Sequence, residues 1–150
     1  VNANLFLFGS GDLEKELKEI VIKKGLNNKI FFVGRVPFQK LKNITKKFDL
    51  GLSFEEDTCL SYRFSLPNKI FDYLHAEVPV LASNLPDLSK IITENNIGEV
   101  LKSRDPKKIG SQIKKMVSKK EFYGKYLRKA KNKFCWELEE LKLINLFNHF

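Results

Sequence analysis

The 150-residue sequence predicts an α/β fold, a parallel β-sheet with helices on both faces that ends in a helical C-terminus. Three observations carry this. Five short apolar runs alternate with segments of helical periodicity. The runs are near-continuously apolar instead of alternating in and out, as strands covered on both faces require. After Asp105 the strand-like runs stop and helical spacing continues to the end.

The predicted strands are residues 3–8 (ANLFLF), 29–33 (KIFFV), 48–54 (FDLGLSF), 78–83 (VPVLAS) and 98–101 (GEVL). Between the first two, residues 12–24 repeat Leu13, Leu17, Ile20 and Val21 on one face with Glu and Lys elsewhere, the pattern of an amphipathic crossover helix. Such β-α-β units are joined right-handedly. A chain of this length can bury roughly 68–70% of its unfolded surface in one core. With no repeat, low-complexity tract or long linker, residues 1–150 are expected to form a single domain.

Composition excludes several classes. The longest apolar runs, LFLFG and IFFVG, are far too short to cross a bilayer, and no signal peptide is visible. Cys59 and Cys135 are distant from each other and lack neighbouring ligands, which argues against a disulfide framework or zinc site and for a reducing cytoplasm. The net charge of +9 is concentrated: residues 102–133 hold thirteen Lys or Arg against Asp105 and Glu121, a local +11. That is a solvated helical face or an attraction to an anionic membrane surface; nucleic acid ranks last, because aromatic side chains suited to base stacking are sparse there.

In open α/β sheets ligands bind beyond the carboxyl ends of the strands, where helix N-termini point free N–H groups outward. The candidate loops are Gly9-Ser10-Gly11, Gly34-Arg35-Val36, residues 55–67 and residues 84–87. Gly-Ser-Gly alone is a weak phosphate signal. Residues 55–65 are long for a strand-to-helix loop. Pro67 suits a first helical position, so the next helix is expected to begin at PNKIFDYL, with Ile70, Phe71 and Leu74 towards the core. Lys69 and Asp72 then share the other face. They are either an exposed ion pair three residues apart, or a cation for a phosphate and a carboxylate for sugar hydroxyls.

The segments LFLFGSGDLEKELKEIV, KIFFVGRVP, FDLGLS, SLPNKIFDYLHAEVPVLASNLPDL and FCWELEELKLINLF resemble, in this order and spacing, the C-terminal half of the group 1 (family four) retaining glycosyltransferases of GT-B fold. The run from Cys59 to Pro86 resembles the branch working in capsule and O-antigen polysaccharide assembly. The resemblance implies a Rossmann-like, donor-binding half of an enzyme, whose N-terminal, acceptor-binding half is missing from this sequence, so that the chain alone is inactive. It implies that Asp72 holds the ribose hydroxyls and that Ser65, Leu66 and Asn68 face the diphosphate and donor sugar. Lys69 then neutralises phosphate charge, and Arg35 and Val36 meet the base. The partners implied are a nucleotide sugar and a lipid-linked saccharide acceptor, without cofactor or metal in the site and without nucleic acid. The implied location is the cytoplasm, at the inner face of the membrane through residues 102–133.

Three positions depart from the family pattern: Phe64 stands where many members have a first Glu, Asp72 replaces a second Glu, and Glu77 replaces a Gly at the helix end. The lost sugar contact is expected from Glu55, Glu56 or Asp57. The family's Arg/Lys phosphate pair is absent, together with the strand preceding it. The sheet is therefore expected to close directly between residues 3–8 and 48–54. A non-catalytic nucleotide-binding module is the alternative reading. Catalytic groups are not identifiable: His75 lies inside a helix and His149 at the C-terminus.

Overall fold

A computed structural model describes residues 2–148; His149 lies outside the described residues. The chain divides into two compact units, Val1–Lys42 and Asn43–Phe150.

The first unit contains β1 (Leu5–Phe8), α1 (Glu14–Lys23) and β2 (Ile30–Gly34). β1 and β2 pair in parallel, Leu5 opposite Ile30 and Leu7 opposite Phe32, before the register shifts to set Phe8 opposite Gly34. Phe6 stacks on Phe31 at 4.9 Å between ring centroids. The helix forms where its periodicity predicts, but of the expected core stripe Val21 is buried while Leu13, Leu17 and Ile20 stay exposed. About forty residues are too few to enclose a core of their own, which is the physical reason. A helix α2 (Phe38–Thr45) follows, across the boundary between the units.

The second unit contains β3 (Gly51–Ser53), α3 (Leu60–Arg63), α4 (Asn68–His75), β4 (Val80–Ala82), α5 (Pro86–Glu94), β5 (Gly98–Val100), α6 (Pro106–Ser118), α7 (Lys120–Lys133) and α8 (Trp136–Phe147). Its sheet is parallel in the order β3-β4-β5, Gly51 opposite Val80 and Val80 opposite Gly98. β4 is central and wholly buried. α4 packs on β3, β4 and α7, and α5 packs on β4 and β5. Ile70 and Leu74 of α4, Leu88 and Ile92 of α5, Met116 of α6 and Leu127 of α7 meet in one core with Val80 and Leu81. α8 buries none of its side chains.

Close packing fixes two glycines. A Cβ on Gly98 would run into the Val80 backbone, and one on Gly51 would lie 2.5 Å from the Tyr73 ring. All five expected strands are present; β1, β3, β4 and β5 are shorter than their apolar runs, and β2 keeps the expected five residues one position later.

Among the described residues the ladders are β1–β2 within the first unit and β3–β4–β5 within the second. No helix among the described residues is long and apolar enough to cross a membrane.

Candidate functional site

The site residues of the second unit gather at the carboxyl end of β3 and the start of α4. Pro67 is extended at the N-cap (φ −62°, ψ 135°) and the helix begins at Asn68, one residue later than its sequence suggests. Proline has no side-chain acceptor, so α4 is uncapped. The amides of Asn68 and Lys69 have no backbone acceptor among the described residues, and the first inward bond is Ile70 N to Pro67 O at 3.1 Å. An uncapped first turn presents free N–H groups and a dipole that favour an anion.

Lys69 does not pair with Asp72. Its ammonium donates to Glu55 Oε1 at 2.7 Å, and the buried Ser53 hydroxyl faces the same carboxylate, 2.9 Å from Oε1 and 2.7 Å from Oε2. The Glu55 side chain is 12% exposed and that of Lys69 48%. Burial pushes Glu55 up, but hydrogen bonds from Lys69 and Ser53 and the Lys69 charge outweigh it and hold the carboxyl below its usual range. Of the three acidic candidates for a sugar contact, Glu55 is thus the one joined to the α4 turn. Asp57 lies 4.0 Å from Arg63 and Glu56 3.8 Å from Arg104.

Asp72 lies one turn into α4, half-buried and on the Lys69 side of the helix. It neighbours Tyr73, whose hydroxyl reaches Leu52 O at 3.5 Å. Burial pushes the Tyr73 hydroxyl up; the bond to Leu52 works against this, and the Asp72 and Glu55 charges add to it. Ser65 donates its hydroxyl to Tyr62 O at 2.8 Å, closing the α3 turn, and Leu66 packs against the core, which fixes the approach to Pro67.

Sequence reasoning missed Arg104. From the loop after β5 it donates to Glu55 O at 2.6 Å, behind β3, and to the Ser83 hydroxyl at 3.1 Å, behind β4. It ties together three strand ends and borders a cavity of about 200 Å³ that Ser83, Asn84 and Lys102 also line. Extending the carboxyl-end rule to the fifth strand would have found it.

The remaining predicted residues, Arg35 and Val36, belong to the first unit. Gly34 is left-handed (φ 78°), which turns the chain after β2. Arg35 Nε donates to Ser10 Oγ at 2.9 Å, so this arginine is anchored to the Gly-Ser-Gly loop.

Comparison with known proteins bears on the fold. Sucrose-phosphate synthase from Thermosynechococcus elongatus is similar in structure with a TM-score of 0.79 at 18% identity, over 97% of this chain and 38% of that one. WaaG, a glycosyltransferase involved in lipopolysaccharide biosynthesis, is similar with a TM-score of 0.64 at 17% identity, over 87% of this chain and 33% of that one. The chain therefore spans about a third of the length of either protein. At these identities the likeness shows the fold, an α/β architecture matching that of GT-B glycosyltransferases. No curated protein matches by sequence. The model of the family described as "Glycosyl transferases group 1" matches residues 1–133, and the chain belongs to that family.

Proposed function

We propose that this chain binds the nucleoside diphosphate sugar donor of a retaining glycosyltransferase that acts in surface polysaccharide assembly on a lipid-linked acceptor. The observation that carries the reading is the start of α4. There the Lys69 ammonium is held by Glu55, the Asn68 and Lys69 amides have no backbone acceptor among the described residues, and Asp72 follows one turn on. A diphosphate needs donors and positive charge; a ribose offers a pair of hydroxyls to a carboxylate. In this reading Lys69, Asn68, Ser65 and Leu66 surround the phosphates and sugar, Asp72 takes the ribose, and Arg35 and Val36 take the base. The described role of WaaG in lipopolysaccharide biosynthesis supports the polysaccharide setting. The acceptor half and the transfer step belong to a further α/β domain. The reading places the protein in the cytoplasm at the inner membrane face.

Calorimetric titration with uridine, uridine diphosphate and guanosine diphosphate tests it. Lys69 is half-exposed, so Lys69→Ala should weaken the diphosphates about 10-fold and leave the nucleoside unchanged. Asp72→Asn should weaken both. A Lys69→Ala protein that binds every ligand like the parent would refute the assignment.

A further inference from the structure

A second cluster of cations lies away from the start of α4. A cleft of about 390 Å³ between the end of β5 and α6 is lined by Lys102, Lys107, Lys108 and Lys115 together with Glu99, Ser111 and Gln112. Its floor is fixed. Gln112, 9% exposed, donates to Glu99 Oε2 at 3.0 Å and to Val100 O at 2.8 Å. Glu99 Oε1 accepts from Lys115 at 2.9 Å and from the Tyr123 hydroxyl at 3.0 Å.

The one carboxylate lining the cleft is thus fully engaged, and its charge is matched by Lys115. Asp105, next to the cleft, accepts from the amide of Lys108 as the α6 cap at 2.9 Å and keeps its charge, so Lys102, Lys107 and Lys108 leave a local excess of +2. No ion pair among the described residues reaches the ammonium groups of Lys102, Lys107 or Lys108. Three like charges around one concavity repel each other and are stabilised by a counter-ion of matching valence.

We propose that this cleft binds a phosphate-bearing ligand, a diphosphate or a phosphorylated headgroup, through Lys102, Lys107 and Lys108. Lysine meets phosphate as a mobile point charge with three donors. A single carboxylate would leave part of that excess unmatched. The lining contains no aromatic side chain, so a stacked nucleobase gains nothing there. The site narrows the charge of residues 102–133 to one cleft and is independent of the donor reading.

The experiment titrates the 150-residue chain with inorganic pyrophosphate, followed by amide chemical shifts. In parallel it sediments the chain with vesicles of phosphatidylglycerol and phosphatidylcholine, or of phosphatidylcholine alone. Both arms are repeated on the combined Lys102→Gln, Lys107→Gln, Lys108→Gln protein, after its melting has been matched to the parent. Pyrophosphate shifts at Lys102, Lys108, Ser111 and Gln112, weakened about 10-fold or more in the triple variant, support the proposal with a soluble ligand. Sedimentation with the anionic vesicles alone, lost in the triple variant, supports it with a lipid headgroup. Shifts confined to Asn68 and Lys69, binding unchanged in the triple variant, or no binding in either arm overturn it.

Discussion

Glu77 ends α4 in a conformation that favours glycine. Its φ is 59°, in the left-handed region, where a side chain costs about 1–2 kcal/mol. What offsets this is α7: Glu77 Oε1 lies 3.2 Å from the Lys131 ammonium and Oε2 3.7 Å from Arg128. All three side chains are at least 36% exposed, so the two pairs together contribute no more than about 0.5–1 kcal/mol. Glu77→Gly releases the backbone strain, gives back about 0.5 kcal/mol through a more flexible unfolded chain, and loses the pairs. The result should be near neutral. Glu77→Gln loses the charge and keeps the strain, so it should be destabilised by about 0.5 kcal/mol. Thermal unfolding followed by circular dichroism separates them, at about 3 °C per kcal/mol for a chain of this size. Glu77→Gly should melt 1–3 °C above Glu77→Gln, and the gap should persist in 0.5 M salt, where the ion pairs are screened. If Glu77→Gly melts below Glu77→Gln, the released strain is smaller than the entropy that glycine adds to the unfolded chain, and the reasoning fails.

Gly98→Ala pushes a Cβ into the Val80 backbone, which no rotamer change can relieve; a loss of about 1–3 kcal/mol should appear as a melting point several degrees lower, and an unchanged melt would contradict the packing. The Glu99–Tyr123 bond makes stability depend on pH at both ends. Burial raises Glu99, but bonds from Lys115, Gln112 and Tyr123 outweigh it and hold the carboxyl below the usual glutamate range, so its contribution is present above that range and lost as pH falls through the lower folded value. Burial and the Glu99 bond raise Tyr123 from 10.0 to about 12, so its contribution is complete below pH 10 and lost between 10 and 12, and Tyr123→Phe should flatten the alkaline limb of a denaturation profile. Glu55→Gln keeps an acceptor for Lys69 but removes the charge that opposes a phosphate. Its affinity for uridine diphosphate should rise a few-fold by calorimetry with uridine unchanged, and a fall would show that the Glu55 charge positions Lys69.

The elements were legible because local pattern and final burial agree in the second unit. The run VPVLAS reads as a covered strand, and β4 is buried at every residue. Ile70 and Leu74 fall on the core face that their spacing assigns. In the first unit the same kind of pattern sits on a helix whose apolar face stays exposed, because periodicity marks a face without supplying what covers it. At the site, the types of residue were readable and their partners were not. Spacing pairs Lys69 with Asp72 three residues on, whereas the ammonium turns to Glu55, fourteen residues back, because the buried Ser53 hydroxyl fixes that carboxylate. Arg104 meets Glu55 and Ser83 across 49 and 21 residues, a juxtaposition that only the sheet creates. Glu77 was legible for a different reason: a left-handed helix end is a local demand, and a side chain there stands out in the sequence itself.

The ties between strand ends bear on how the second unit can hold a ligand. Strand-to-helix loops are ordinarily the most mobile part of such a fold. Here the Arg104 guanidinium bonds the chain behind β3 and behind β4, while Glu55, on the first of these loops, holds the Lys69 side chain. A ligand arriving at α4 therefore meets a side chain whose rotamer is already restricted, so less ordering entropy opposes binding. In the proposed reading the same arrangement limits affinity, because Glu55, held below the usual carboxylate range, balances the Lys69 charge that a phosphate would compete for. Much of the net attraction must then come from the two uncapped amides, whose dipoles carry no counter-ion of their own. In the proposed reading the site is consequently organised for geometry ahead of strength.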